Sequence, residues 1–416
     1  MDWWMPILGL AIGAISLLQL VAWAALAIRR AKFERRLFEF NQARMRRQLE
    51  IAEGSEAVRH LGRWQGYRKF LVQRTRVEAR HCVSLELIPE DGRPLPVFLP
   101  GQHVALRLAV PGQKHPVVRC YSLSDAPSPD HFRITARLVG PPRDRPTLRA
   151  GIASTFINEH VGIGDRVELQ APAGAFYLDL NDRRPAVLLA GGIGITPFMA
   201  MLQTLAQHKI KREVLLVYGV RNSEEHVFRE ELGRVTAAAP QIKVVTCYSQ
   251  PMARDQLGRD FQVAGRISLP LIRQMVPSSH VPFYLCGPPQ FMRQLFAGLG
   301  EWGVPESLIH FEAFGPATVR PEKPAVAEVG RETRVTFARS GVETAWTPDV
   351  GTLLELAERY DVDLASGCRA GNCGTCQVRV LSGRATDPEA RAHAECDLGF
   401  VLTCASRPAS DLVLDA

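Results

Sequence analysis

The sequence predicts a multidomain protein: one transmembrane helix, an antiparallel β-barrel, an α/β domain on a parallel sheet, and a small α+β domain at the C-terminal end. Three observations carry that reading. The chain has 416 residues, more than one hydrophobic core organises. Its apolar pattern changes from one unbroken run to short alternating strands, and then to buried strands separated by helical stretches. Five of its nine cysteines fall between Cys368 and Cys404. A hydrophobic fraction of 46%, a charged fraction of 22% and 29 scattered prolines describe folded domains on short linkers, without repeats or low-complexity tracts.

The net charge of +7 is uneven. Eight Lys and Arg against Asp2, Glu34, Glu39 and Glu50 put about +4 of it in the first fifty residues. The rest is close to neutral and lacks interleaved aromatic and basic stretches, which argues against a nucleic-acid-binding face. Cys82, Cys120, Cys247 and Cys286 stand singly and far apart, so a secreted disulfide framework is not expected.

From Trp3 to Ile28 no residue is charged, and a helix needs roughly 20 apolar residues to cross a bilayer. Residues 1–30 are therefore expected to form a transmembrane anchor. Residues 31–62, which follow Arg29 and Arg30 and begin "AKFERRLFEF", read as a basic juxtamembrane helix or linker with Phe33, Leu37 and Phe40 at helical spacing. The basic flank predicts a single-pass protein of the inner (cytoplasmic) membrane with its soluble domains in the cytoplasm. A cleaved signal peptide would need a basic start and a shorter apolar core.

Residues 63–180 carry the strand segments "VSLELIP", "HVALRLAV", "FRITARLV" and "DRVELQAP", bounded by Pro and Gly turns, as a small barrel does. Within them "VVRCYSLSD" offers Arg119 to neutralise a phosphate, Tyr121 to stack on a flat ring and Ser122 to bond its polar edge. The turn from Gly151 to Ser154 opens a short helix whose N-terminus suits a second phosphate. Taken alone, four residues of this kind are equally an ordinary strand with an exposed Arg.

Residues 181–316 contain, from Arg184, "RPAVLLAGGIGITPFMAMLQ": a buried strand, a turn through Gly191, Gly192 and Gly194, and an amphipathic helix from Thr196 and Pro197. Such a turn lets a pyrophosphate approach the backbone, although the spacing is not G-x-G-x-x-G. The strands "EVLLVYGV", "KVVTCYS" and "PFYLCGPP" follow, alternating with helices, as in a doubly wound sheet. Cys286 ends the last of them, where ligands of such sheets sit, or is a small buried hydrophobe. "HFEAFGPA" supplies Glu312, Phe314 and Gly315.

In this order, R-x-Y-S, G-x-x-S, G-G-x-G-x-T-P, C-G-P-P and an acidic–aromatic ending, the stretch from Arg63 to Pro316 resembles the ferredoxin–NAD(P)H reductase superfamily. The resemblance implies a flavin at Arg119, Tyr121 and Ser122, with its phosphate at Gly151 and Ser154. It implies a pyridine dinucleotide at Gly191, Gly192, Gly194, Thr196, Gly287 and Pro288. Cys286, Glu312 and Ser122 would be the catalytic group beside the reacting rings, with Phe314 and Gly315 near the isoalloxazine. "RCYSLSD" and "FEAFGPA" are most similar to the reductase part of flavohaemoglobins, which carry FAD. His103 in "PGQHV" stands where those proteins often have a flavin-contacting Tyr, and FMN is the second option. No globin domain precedes the barrel, so a flavohaemoglobin itself is not expected.

A linker, 317–330, leads to residues 331–416, where "TRVTFARSGVETAW" reads as two strands and "TLLELAERYDV" as a helix. Cys368, Cys373 and Cys376 follow C-x4-C-x2-C, with Cys404 28 positions later. Structural zinc prefers paired knuckles, and a disulfide is excluded if the domain lies in a reducing cytoplasm. The plant-type [2Fe–2S] pattern has this spacing, and Gly367, Gly371 and Gly374 let backbone N–H groups turn toward the sulfurs. The domain resembles plant-type ferredoxins of β-grasp fold, with Cys396 a bystander.

The expected path runs from NADH or NADPH through FAD and a [2Fe–2S] cluster to an electron-accepting oxygenase, hydroxylase or desaturase, membrane-bound if the anchor is real. Flavin, nucleotide and C-terminal ferredoxin domains in that order resemble reductase components of two-component oxygenases. A respiratory, quinone-type NADH input is disfavoured by the domain order; a redox sensor without turnover is the non-enzymatic alternative. The choice between NADH and NADPH falls after "LLVYG", where Arg221 would attract a 2′-phosphate and Glu224 or Glu225 would repel one.

Overall fold

Alternation of small apolar and polar residues in the first soluble third gives way to unbroken apolar strands in the second, and the architecture changes at the same place. The computed structural model describes Trp64, Arg369, Gly371 and residues 66–113, 116–140, 150–314, 333–367, 374–387 and 399–416. All belong to the unit Gly62–Ala416, which is distinct from Met1–Leu61.

Six strands form the first layer: β1 (Arg68–Ala79), β2 (Cys82–Pro89), β3 (His103–Leu108), β4 (Val117–Ser122), β5 (Phe132–Arg137) and β6 (Arg166–Leu169), with helix α1 (Ile152–His160) before β6. Their order is β4-β3-β6-β1-β2-β5, every pair antiparallel. A bridge from Leu123 to Ile134 brings the two edge strands together and closes the barrel. Inward positions such as Phe70, Leu85, Leu106, Phe132 and Ile134 fill the interior.

The second sheet is parallel throughout: β7 (Ala186–Gly191), β8 (Val214–Val220), β9 (Ile242–Tyr248), β10 (Val263–Ala264), β11 (Phe283–Cys286) and β12 (Ile309–Glu312), in the order β10-β9-β8-β7-β11-β12. Helices α2 (Thr196–Gln207), α3 (Arg229–Ala238), α4 (Leu269–Met275) and α5 (Pro289–Glu301) make the crossovers. Every residue of β7 is buried, as expected of a central parallel strand covered on both faces. The strand order reverses between β7 and β11, the switch point where ligands of such sheets bind.

Helix α2 departs from the amphipathic expectation, because every residue from Thr196 to Leu205 is buried. One side packs on the sheet; the other meets the barrel segment around Phe176 and Leu178, and Gln203 Oε1 accepts from the Ala126 N–H at 3.3 Å. A helix apolar on all sides is one that lies inside a core.

The third sheet contains β13 (Thr333–Phe337), β14 (Val342–Trp346), β15 (Gln377–Ser382), β17 (Phe400–Leu402) and β19 (Leu412–Leu414), ordered β14-β13-β19-β15-β17, with β16 (Ala385–Thr386) and β18 (Arg407–Pro408) as a side ribbon. Only β13 and β19 run parallel, and helix α6 (Leu353–Arg359) covers one face, giving an α+β sheet of β-grasp type. A capping box starts α6: Thr352 Oγ1 accepts from the Glu355 N–H, and Glu355 accepts from the Thr352 N–H.

The expected inner-membrane location requires correction. Among the described residues no helix is long and apolar enough to cross a membrane. The longest, α5, has 13 residues, short of the roughly 20 a span needs. The anchor assigned to 1–30 and the basic helix of 31–62 lie outside the described residues.

Candidate functional site

The R-x-Y-S residues lie at the end of β4, and α1 begins beside them. Gly151 N–H donates to Val139 O at 2.8 Å and fixes where the helix starts. No N-cap side chain bonds to the first turn of α1, and the first N–H groups of a helix lack intrahelical partners, so they are suited to an anion. Between these elements opens a cleft of about 350 Å³ lined by Arg119, Tyr121, Ser122, Gly151 to Ser154, His103, Glu312 and Phe314. Two residues of the third domain, Gly367 and Arg369, complete its wall.

At its inner end three buried side chains share protons. Ser122 Oγ donates to Glu312 Oε2 at 3.0 Å, and His103 Nδ1 lies 3.1 Å from Glu312 Oε1. Cys286 stands opposite Glu312 in the register of β11 and β12 and is fully buried. Burial, and then the Glu312 carboxylate, push its thiol well above the usual range, so it stays protonated. Ser122, Cys286 and Glu312, far apart in sequence, are therefore brought together, and His103 joins them.

At the outer end Arg119 donates to Val118 O at 2.6 Å and has no carboxylate partner among the described residues. Ser154 falls inside the first turn of α1 rather than before it. Its hydroxyl donates to Gly151 O and accepts from the Val139 N–H, tying the helix to β5's end. Val139, Ile152 and Phe314 are exposed by 59%, 37% and 42%, an apolar rim of the kind a flat ring would cover.

The glycine turn after β7 packs directly on the C-G-P-P segment. A Cβ on Gly194 would lie 2.2 Å from Cys286 O, and one on Gly287 would lie 2.8 Å from Phe291 and 3.0 Å from Gly191. Gly192 has φ +55°, and a Cβ there would meet only the flexible end of Arg137, Nη1 at 3.6 Å, an ordinary contact that leaves its backbone approachable. Thr196 is buried and donates to Ile193 O at 3.0 Å, so its hydroxyl holds the turn. Pro288 precedes α5 as its N-cap. After β8, Arg221 pairs with Glu225 at 3.0 Å, while Glu224 takes Arg254 at 2.7 Å and Arg80 at 3.2 Å.

In the third domain Cys376 and Cys404 are buried with their sulfurs 3.2 Å apart, and Gly371 N–H points at Cys404 Sγ at 3.3 Å. That convergence of thiols and a backbone donor suits a negatively charged cluster. Cys368, Cys373, Cys396 and Gly315 lie outside the described residues.

Residues 188–295 match the family described as oxidoreductase NAD-binding domain, and residues 335–409 the 2Fe-2S iron-sulfur cluster binding domain. The crystal structure of the flavohem-like FAD/NAD binding domain of nitric oxide dioxygenase from Vibrio cholerae O1 biovar El Tor is 32% identical with a TM-score of 0.53, covering 60% of this chain and 99% of that one. The chain belongs to the ferredoxin-reductase-like oxidoreductases. This reductase is also similar to phthalate dioxygenase reductase, 26% identical with a TM-score of 0.52 over 84% of this chain and 98% of that one. The flavohemoprotein of Halalkalibacterium halodurans is 35% identical over 65% of each chain, and that of Deinococcus radiodurans 39% over 62% and 61%. The reductase thus spans just under two thirds of the curated relatives' length. Its cofactors are FAD, NAD(P)H and a [2Fe–2S] cluster. The compartment argument against a disulfide loses its footing with the membrane topology, and the match to the cluster-binding family replaces it.

Sequence reasoning missed Val139, Ile152, Gly367 and Arg369 in the cleft wall. Gly367 and Arg369 carried a signal, as the residues on either side of a cluster ligand; the apolar ones are indistinguishable from core positions by pattern.

Proposed function

We propose that this chain is the reductase component of an oxygenase system, drawing reducing equivalents from NAD(P)H and delivering electrons singly to an oxygenase, hydroxylase or desaturase. The carrying observation is one cleft walled by the barrel, by Glu312 at the end of the nucleotide sheet, and by Gly367 and Arg369 of the cluster domain. The flavin, when bound, converts a two-electron donor into one-electron transfers.

Arg119 and the N-terminus of α1 hold its phosphate, while Tyr121 and Phe314 flank its ring. Ser122 and His103 orient Glu312, which holds a proton-accepting position beside the Cys286 thiol. Gly191, Gly192, Gly194, Gly287 and Pro288 shape the dinucleotide's seat. Cys368, Cys373, Cys376 and Cys404 bind the cluster. Gly367 and Arg369, the residues on either side of Cys368 in sequence, line this cleft, which supports the cluster as the exit for electrons.

The test separates entry from exit. In Cys376→Ser and Cys404→Ser, NADH-dependent reduction of a small dye should persist, while reduction of a protein acceptor falls at least about tenfold. Equal loss of both activities, with flavin still bound, would contradict the assigned order.

A further inference from the structure

The proposed flavin site is bounded by two guanidinium groups from different domains. Arg119 comes from β4 of the barrel, and Arg369 from the cluster loop. Among the described residues Arg119 has no carboxylate partner, and its side chain donates to its neighbour's carbonyl, Val118 O, at 2.6 Å. Arg369 is clamped through Nη1 and Nη2 by Glu358 of α6, while its Nε is buried with no partner among the described residues. Its backbone has φ +56°, a costly conformation for a residue with a side chain, which persists only where surroundings impose it. The loop touches the barrel again where Thr375 Oγ1 donates to Gln170 Oε1 at 3.3 Å.

Two cations bordering one cavity repel: burial first, and then proximity to Arg369, make Arg119 easier to deprotonate, with Tyr121, Cys120 and the Glu358 carboxylate offsetting a smaller part. The cleft's inner carboxylate, Glu312, is engaged by Ser122 and His103 and does not relieve that repulsion. A phosphate beside the α1 N-terminus would, by accepting from the Arg119 fork and from the N–H groups of Arg369 that Glu358 leaves unused.

We propose that Arg369 belongs to the flavin phosphate site, so that flavin binding and seating of the cluster domain on the barrel are one coupled equilibrium. The proposal rests on the reading of this cleft as the flavin site. By linkage, whatever strengthens one strengthens the other by the same factor.

The full chain, stripped of flavin, would be titrated with FAD, FMN and riboflavin by quenching of flavin fluorescence, with cluster content followed by visible absorption. Arg369→Ala and Arg119→Ala are each expected to weaken FAD and FMN about tenfold but riboflavin, which has no phosphate, less than about twofold. The double variant should lose less than the product of the two, because both cations act on one phosphate. Arg369→Lys keeps the charge without the fork and should lose an intermediate amount; it is the variant read if Arg369→Ala loses its cluster. Wild-type FAD affinity in a cluster-loaded Arg369 variant, or equal weakening of riboflavin, overturns the proposal while the flavin site stands. Failure of the unaltered chain to bind any flavin overturns both.

Discussion

Glu312 accepts two hydrogen bonds on two oxygens, and this decides what single substitutions do. Glu312→Gln replaces one acceptor by a donor, so one of the two bonds to Ser122 and His103 is lost; single-turnover flavin reduction by NADH should slow about tenfold or more, with NADH affinity little changed. His226 provides a prediction independent of the cofactors. Burial, with a smaller contribution from Arg229, depresses its imidazole from about 6.5 to about 4, and Nδ1 lies 2.9 Å from the Tyr248 hydroxyl. Between those values the unfolded chain binds a proton that the folded chain refuses, so stability rises with pH. The contribution is complete above about pH 6.5 and lost progressively down to about pH 4, at most about 3 kcal/mol. Denaturant unfolding across that window should show the slope in the wild type and less of it in His226→Gln. Legibility at this scale followed chemistry: cysteine spacing and R-x-Y-S are readable because ligands demand residue types. Val139 and Ile152 were not, since any apolar residue at those positions looks the same in sequence.

Elements were more legible than their surroundings. The strands and glycine turns fall where alternation and turn residues put them, but the all-round burial of α2 was hidden, because its amphipathic pattern gives no sign of the barrel that covers its second side. The turn between β7 and α2 is the least forgiving connection. Gly194→Ala would drive a Cβ to 2.2 Å from Cys286 O, a backbone atom that cannot yield without moving C-G-P-P. Its melting temperature should fall and its KM for NADH rise several-fold, whereas Gly192→Ala, whose Cβ would meet only Arg137 Nη1 at 3.6 Å, should lose only about 1 kcal/mol from its left-handed backbone. After β8, Glu225 neutralises Arg221, which a 2′-phosphate would otherwise meet. Glu225→Gln should therefore raise kcat/KM for NADPH relative to NADH; an unchanged ratio would remove this loop from nucleotide choice.

At the scale of the molecule, the barrel and the nucleotide sheet are joined by a buried ion pair. Arg133 of β5 reaches Glu231 of α3 at 2.9 Å, each about 10% exposed, with the guanidinium over the Phe228 ring at 5.0 Å. Arg133→Ala leaves Glu231 buried and uncompensated and should cost about 3 kcal/mol in calorimetric or denaturant unfolding; replacing both by Leu should restore most of it. No pattern in the sequence announced this pairing of residues 98 positions apart, because each looks like an ordinary surface charge. Helix α2 makes the same connection through apolar contacts, and it has a consequence for descent. Because one helix serves two cores, neither half can be exchanged alone without baring a face that was never selected to meet water. The heritable module is the pair, and recombination that respects it trades whole electron-entry units while leaving other domains to be appended.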